Sequence, residues 1–363
     1  MPVRWIDAGT VSYLRSQSIY HGLGYAQEKQ TPDTIVLATP ESPYLCVGHF
    51  QDPARELDLE FCRKSELPVI RRETGGGAVL IDSGQLFVQW VFQRESLPRK
   101  VEQRFETFIR PIVETYSFFG IDAKLYPVND IHVNGRKICG TGAGTIGEAE
   151  VVTGNFLFDF DTNKMVQALN LPGEVFREQT RESLEKYLTT FSKEKGSNPD
   201  RKEVIEVYKA QCRKALGRDF FEGRFTVKES KEMELIEEKW KKEAGHFLPS
   251  SRPEERLLKI HAGVWIGQMR HTAQGGVIES LIRMNENRIE FIKLTTDGDN
   301  GTARDWSKLE MSLTGATLES EELSHRLTNY FSHHQEQSCF NIDDWVEALL
   351  RIRNEKKRVT GRE

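Results

Sequence analysis

Arg71-Arg72-Glu73-Thr74-Gly75-Gly76-Gly77-Ala78-Val79 is the stretch on which the reading of this chain turns. Three adjacent glycines stand between two arginines and an apolar strand. Residues without a Cβ let a ligand lie directly on the backbone, with N–H groups turned toward it. The arginines put fixed positive charge at the mouth of that surface. A second stretch complements the first: Asn129-Asp130 leads into Ile131-His132-Val133, Asn134-Gly135 and Arg136-Lys137-Ile138. An Asn-Gly pair between two short strands favours a two-residue type I′ hairpin, whose central residues both need φ > 0. That hairpin carries Lys137 on its return strand, and strand alternation puts Cys139 on the same face. Together the two stretches read as a site for an anionic ligand with a lysine presented to it.

Bulk properties narrow the class. At 363 residues the chain exceeds what one hydrophobic core usually covers, so two domains are expected. Hydrophobic content of 38% and charged content of 29% are those of a folded globular protein. A formal net charge of −5 argues against nonspecific nucleic-acid binding, which needs a basic surface. Apolar runs such as Leu86 to Phe92 are far too short to cross a bilayer, and the N-terminus lacks the apolar segment of a secretory signal. The cysteines Cys46, Cys62, Cys139, Cys212 and Cys339 are odd in number, and no two have C-x-x-C spacing. A disulfide framework or zinc site is therefore not expected, and a reducing cytoplasm fits.

Read along its length, the sequence predicts a helix over 12–29 and strands at Thr34–Leu37, Tyr44–Val47, Val69–Arg72 and Ala78–Ile81. Both faces of Leu86–Phe92 are apolar, which predicts a central strand covered on both sides. Val101, Phe105, Phe108, Ile109, Ile112, Val113 and Tyr116 recur at helical spacing, with Pro111 expected to kink or break the helix. Residues 155–160 read as a strand, 163–170 and 201–216 as helices, and Lys193–Arg201 as a polar loop. Residues 228–244 form a highly charged helix, read as a solvated face before or within a linker that ends in a proline-rich break. Strands at Gly263–Met269, Val277–Met284 and Arg288–Leu294, then helices at 319–332 and 342–353, make a second small α+β unit.

The sequence resembles the lipoate–protein ligases, which share a fold with octanoyltransferases and biotin ligases. The resemblance rests on VGHFQDPARELD (47–58), RRETGGGAV (71–79), DSGQL (82–86), NDI (129–131) and GRKICG (135–140). It covers about residues 10–220, with five motifs in the family's order. Residues 257–350 resemble the accessory domain of the same ligases. The resemblance implies an α+β fold: a biotin/lipoate ligase-like catalytic domain with a mixed sheet and flanking helices over 1–226. A charged helix and linker over 227–256 and a small α+β accessory domain over 257–355 follow.

The implied chemistry is a two-step acyl transfer using ATP, Mg²⁺ and lipoate or octanoate. Acyl-AMP forms first, and a lysine of an acceptor protein then displaces AMP. Lys137 is the implied catalytic residue, a fixed cation at phosphate and carbonyl oxygens. Arg72, Gly75, Gly76, Gly77, Ala78, Val79, Leu80, Asn129 and Asp130 are the implied binding residues. Arg72 would pair with nucleotide phosphate, and Asp130 would contact nucleotide or Mg²⁺. Implied acceptors are lipoyl-bearing proteins: a 2-oxoacid dehydrogenase subunit, the glycine-cleavage H protein or another. Nucleic acid and membrane are not among the expected partners.

The sequence departs from the family pattern at Leu80-Ile81, where an aromatic-His pair is usual, and at Gln85, where Asn is common. It departs also at Thr141-Gly142-Ala143-Gly144 and at Thr153-Gly154, where relatives have His-Gly. Two other readings stay open on these residues. Gln85 and Cys139 suit a cysteine-dependent transferase that forms a thioester and needs no ATP. The departures at Ile81 and Thr153 suit a non-catalytic lipoyl-binding protein.

Overall fold

The computed structural model describes residues 1–126, 130–297, 304–333 and 338–360. The expected ligand residue Asn129 lies outside the described residues. The chain divides into two compact units. The first holds Met1–Asn170 and Glu185–Ser250, and the second Leu171–Leu184 and Ser251–Glu363.

In the first unit, strand β1 (Val3–Val11) leads into helix α1 (Tyr13–Ala26), strands β2 (Thr34–Pro40) and β3 (Tyr44–Val47), and short helices α2 (Pro53–Glu56) and α3 (Leu59–Lys64). Strands β4 (Val69–Arg71), β5 (Val79–Ile81) and β6 (Gln85–Gln93) precede helix α4 (Val101–Phe118). Strands β7 (Lys124–Tyr126), β8 (Asp130–Val133), β9 (Arg136–Cys139), β10 (Gly142–Ile146) and β11 (Ala149–Leu157) follow. After helix α5 (Thr162–Ala168), helix α6 (Glu174–Tyr187) starts among the residues of the second unit. Helices α7 (Phe191–Lys195) and α8 (Arg201–Leu216), strand β12 (Phe220–Glu222) and helix α9 (Val227–Ala244) complete the first unit.

The main sheet runs β10-β11-β6-β2-β1-β12. Its β1 is parallel to β2 and β12, and the other pairs are antiparallel. As its two apolar faces require, β6 is central and buried from Gln85 to Phe92. Leu86, Val88, Trp90 and Phe92 pack with Phe108, Ile112 and Tyr208 of α4 and α8. Phe87 and Val91 pack with Ile19, Tyr20 and Leu23 of α1. Helix α4 continues through Pro111 without the break that was one of the two expected outcomes. Its buried Phe105, Phe108, Ile109, Ile112 and Tyr116 lie on one face, and their packing outweighs a proline's interior cost of about 3 kcal/mol.

Two expectations from composition fail for the same reason. Lys193–Arg201 is not all loop: Phe191, fully buried in the main core, anchors α7, which ends at Gly196 in a left-handed conformation. Helix α9 is not a solvated linker helix either. Glu229, Met233, Ile236 and Trp240 recur at 3.6-residue spacing and are buried. Met233 packs with α1, and Ile236 and Trp240 pack with Leu14, Tyr44 and Cys46. A capping box of Thr226 and Glu229 starts the helix. Glu229 also takes a buried ion pair from Arg4, and Glu237 meets Arg15 at 2.6 Å. The charges on α9 conceal an apolar stripe that belongs to the first unit.

The second unit is an antiparallel sheet of β13 (Arg256–His261), β14 (Val264–Ala273), β15 (Gly276–Asn285) and β16 (Arg288–Asp297). Helices α10 (Ser307–Leu313), α11 (Ser320–His333) and α12 (Ile342–Thr360) bury Leu309, Leu327, Trp345 and Leu349 against its Ile278, Ile282, Met284 and Ile292. Residues 171–184 join this unit through Arg283, whose guanidinium donates to Gln179 Oε1 at 3.2 Å and to Ser183 Oγ at 3.3 Å. The boundary therefore differs from the expected single linker at 227–256. No helix among the described residues is long and apolar enough to cross a membrane.

Candidate active site

The glycine loop joins β4 to β5 across a three-stranded sheet ordered β4-β3-β5. Its conformation is held by Arg72. That guanidinium donates to the Gly75 carbonyl at 2.8 Å, to the Gly77 carbonyl at 2.9 Å and to the Cys46 carbonyl at 3.1 Å. Arg72, expected to meet phosphate, holds carbonyls of the loop and of β3 in this structure, and so shapes the site from within. Gly76 has φ +99°, and a Cβ there would come within 2.8 Å of Arg72 Nη2. Gly48, in the loop after β3, lies so close that its Cβ would stand 2.1 Å from the Gly76 oxygen. Gly75 and Gly77 differ: a Cβ on either would meet nothing within 4 Å. Two of the three glycines thus face open space, and the third permits the turn. Ala78 is half-buried, Val79 exposed and Leu80 buried.

The lysine hairpin forms as its turn dictates. Asn134 and Gly135 take φ values of 50° and 77°, and β8 pairs with β9 in antiparallel register, His132 opposite Lys137. The Asp130 carboxylate, itself buried, meets Lys137 Nζ at 2.8 Å, while the Lys137 side chain stays 25% exposed. A thrice-donating ammonium held by one carboxylate keeps donors available for a ligand. The Lys137 carbonyl accepts from the Thr189 N–H at 2.9 Å, which ties the hairpin to the chain after α6.

Cys139 does not share the open face of Lys137. The register shifts between Ile131 and His132, so that Ile131 pairs with Cys139 and strand alternation is broken. Cys139 is 1% exposed, packed in the main core with Phe108 and Tyr116, and burial pushes its thiol up to about 12. A thiol so buried and so held in its protonated form is a poor nucleophile.

One segment links the two halves of the site. Next to Lys137, the Gly140 N–H donates to Asn155 Oδ1 at 3.2 Å. Asn155 Nδ2 donates to Gln85 Oε1 at 2.8 Å, and Gln85 Nε2 donates to the Leu80 carbonyl at 2.9 Å. Farther along, Gly142 and Gly144 of β10 lie against Thr74 of the glycine loop. Gln85 and the Gly-Ala-Gly run, departures in sequence, are here the parts that hold β5, the lysine hairpin and the loop in register. Neither partner of Gln85 could be read from spacing, because Asn155 and Leu80 meet it only in the folded sheet.

The remaining motifs are structural. Asp52 and Asp58 cap α2 and α3 by accepting from Ala54 and Phe61 N–H groups. Asp82 accepts from the Gly84 N–H at 2.8 Å in a turn that Arg201 clasps through the Ser83 carbonyl. For Mg²⁺, no group of three His, Cys, Asp or Glu side chains among the described residues could hold a metal ion. The Asp130 carboxylate is already shared with Lys137, and that of Glu73 with Tyr25 and Lys239. That donor set suits an ion carried mainly by phosphate oxygens and water, not a resident metal.

Comparison with known proteins accords with this arrangement. The model of the lipoyl protein ligase A/B catalytic domain matches residues 20–213. A lipoate–protein ligase of Streptococcus pyogenes serotype M5 (strain Manfredo) is 31% identical over 152 residues, 40% of this chain and 42% of the relative. The chain thus spans less than half the length of that ligase. An octanoyltransferase LipM of Anoxybacillus flavithermus (strain DSM 21510 / WK1) is 24% identical over 205 residues, 50% of this chain and 74% of the relative. Among solved structures, a bi-partite lipoate protein ligase of Thermoplasma acidophilum, described with its E2 lipoyl domain, superposes with a TM-score of 0.60. It is 22% identical and covers 66% of this chain and 93% of that one. At that identity the likeness is one of fold: an α+β domain of the lipoate ligase type. The chain belongs to the lipoyl protein ligase A/B catalytic-domain family.

Proposed function

We propose that this protein is an ATP-dependent lipoate–protein ligase, acting on a lipoyl-bearing acceptor protein in a reducing compartment such as the cytoplasm. The observation that carries the reading is the pairing of a partly exposed, Asp130-held Lys137 with a thiol at position 139 that is buried and protonated. The first is a fixed cation for charge that develops on oxygen; the second removes the nearest candidate for a thioester.

In the first step a carboxylate oxygen of lipoate or octanoate attacks the α-phosphorus of ATP, and pyrophosphate leaves. Gly75 and Gly77 give the acyl-phosphate region access to the backbone, with Ala78, Val79 and Leu80 beside it. Lys137 donates to a non-bridging phosphate oxygen as charge builds there. A bound Mg²⁺ would neutralise the pyrophosphate leaving group, with Asp130 as its protein carboxylate and Asn129 as a neighbouring donor. In the second step the amine of the acceptor lysine attacks the acyl carbonyl, and AMP leaves with the bridging oxygen as the amine loses its proton. Lys137 now faces the carbonyl oxygen. Arg72 acts through the loop it holds. The second unit is proposed as the accessory module, serving the activation step. All five cysteines are free, which suits a reducing compartment.

The likeness to an octanoyltransferase, together with Gln85, supports a second reading in which the donor is a carrier-bound acyl group. The two are separated by supplying an acceptor lipoyl domain with lipoate, ATP and Mg²⁺ in one assay and with octanoyl-carrier protein without ATP in another. The ligase reading expects acylation in the first assay only; acylation in the second alone would replace it with the transferase.

A further inference from the structure

Glu73 and Thr74 root the glycine loop, and both are held from behind. The Glu73 N–H donates to His21 Nε2 at 3.2 Å. His21 Nδ1 lies 2.9 Å from the Gln17 carbonyl oxygen, which can only accept. The ring proton therefore sits on Nδ1, and Nε2 is an acceptor by necessity. The imidazole is fully enclosed, with Tyr20 at 4.1 Å and the Trp240 ring edge-on at 4.9 Å. Burial pushes it down to about 4, so the neutral acceptor form persists at ordinary pH. Around this bond stand further ties. Tyr25 Oη donates to Glu73 Oε2 at 2.6 Å, and Lys239 of α9 meets the other oxygen at 3.6 Å. The Thr74 carbonyl accepts from the His49 N–H at 3.0 Å, and the Tyr20 hydroxyl donates to Gln17 Oε1 at 2.8 Å.

We infer that His21 is a positioning residue of this site: its Nε2, backed by Trp240 of α9, fixes the Glu73–Gly77 backbone in the form that leaves Gly75 and Gly77 open to a ligand. The inference rests on the acyl-transfer reading for the identity of that ligand, an acyl-adenylate. Its geometric part stands on the contacts alone. A half-buried N–H that loses its acceptor must find another or move, and the segment that moves here is the ligand surface. Helix α9 takes part by walling the imidazole from water.

The test uses the full chain and three variants. His21→Phe keeps a flat ring and removes the acceptor. His21→Gln returns an amide oxygen at about the reach of Nε2. Tyr25→Phe removes one exposed hydroxyl bond to Glu73 and does not threaten folding. Amide hydrogen exchange is followed without ligand, beside the Michaelis constant for lipoate and the rate of transfer from supplied lipoyl-AMP at saturation. In His21→Phe, exchange of the 72–79 segment should rise about tenfold with the sheet unchanged. His21→Gln should recover to within about threefold, and Tyr25→Phe should show a smaller rise in the same segment. The Michaelis constant should follow the exchange while the saturated transfer rate stays put. A purely structural histidine would instead loosen α1 and the sheet with the loop and gain nothing from Gln, which would overturn the assignment. Unchanged 72–79 exchange in Tyr25→Phe and in a folded His21→Phe would overturn it too, as would faster exchange at an unchanged Michaelis constant. Exchange decides the role of His21. A whole protein that makes no lipoyl-AMP, beside a loosened loop in His21→Phe, would sink the ligase reading and leave the clamp standing.

Discussion

The lysine hairpin and the glycine loop are both turns that need positive φ, yet they are held in opposite ways. In the hairpin, Asn134 and Gly135 close the turn with their own backbone, and a few ties are added to it: Asp130 on Lys137, Glu194 on Arg136 and the Thr189 N–H on the Lys137 carbonyl. In the loop, Gly76 supplies the turn, but its shape comes from afar: Arg72 onto Cys46, His21 and Tyr25 of α1 onto Glu73, β10 onto Thr74. A locally determined turn can present a side chain at a fixed place with few partners. A surface made of bare backbone has no side chains of its own to fix it and must borrow them.

Three substitutions can break that contrast, in falling order of effect. Lys137→Ala should lower acyl transfer by a factor on the order of 10²–10³, because a preorganised charge partner is lost. It should also destabilise the protein, since the buried Asp130 carboxylate loses the ammonium that meets it at 2.8 Å. Adding Asp130→Asn should restore the melting temperature and leave activity low. Restored turnover in the double variant would remove Lys137 from the chemistry.

Gly76→Val should stop acyl-AMP formation and cost about 2 kcal/mol of stability, because a β-branched residue is forced to positive φ against Arg72. In the hairpin, Gly135→Ala meets open space and should cost only about 1 kcal/mol while turnover stays near that of the whole protein. Pyrophosphate release and thermal melts read both. Equal losses in the two turns would dissolve the distinction between them.

The smallest effect is expected from Cys139→Ser. Activity should persist, with a stability loss of about 1–2 kcal/mol from placing a hydroxyl in the core. Collapse of activity in a well-folded variant, with an acyl group trapped on the wild-type cysteine, would turn the account toward a transferase.

How far the sequence could be read follows the same line. The central strand β6, the Asn-Gly hairpin and the helix of 201–216 were legible because alternation, turn chemistry and 3.6-residue spacing are local signals. Pro111 does not end the helix, because the packing that carries α4 past it is tertiary. Helix α9 misled because its many charges masked Met233, Ile236 and Trp240. At the candidate site, the hairpin that carries Lys137 and the turn at the glycines were legible by residue type and motif. The bulge that turns Cys139 inward, the Gln85–Asn155 bond and the His21–Glu73 bond were not. Each depends on residues brought together only by the folded sheet, and no spacing announces them. Arg72 shows the limit most plainly: its type suited a phosphate, and its neighbours in space were carbonyls.

The most direct measurement is mass spectrometry of the full chain incubated with lipoate, ATP and Mg²⁺ in the absence of acceptor. The account predicts lipoyl-AMP with matching pyrophosphate in the wild type and in Cys139→Ser, and almost none in Lys137→Ala or Gly76→Val. Lipoyl-AMP formed as readily by Lys137→Ala, or no lipoyl-AMP from the wild type beside an acyl-thioester formed from octanoyl-carrier protein, would contradict it.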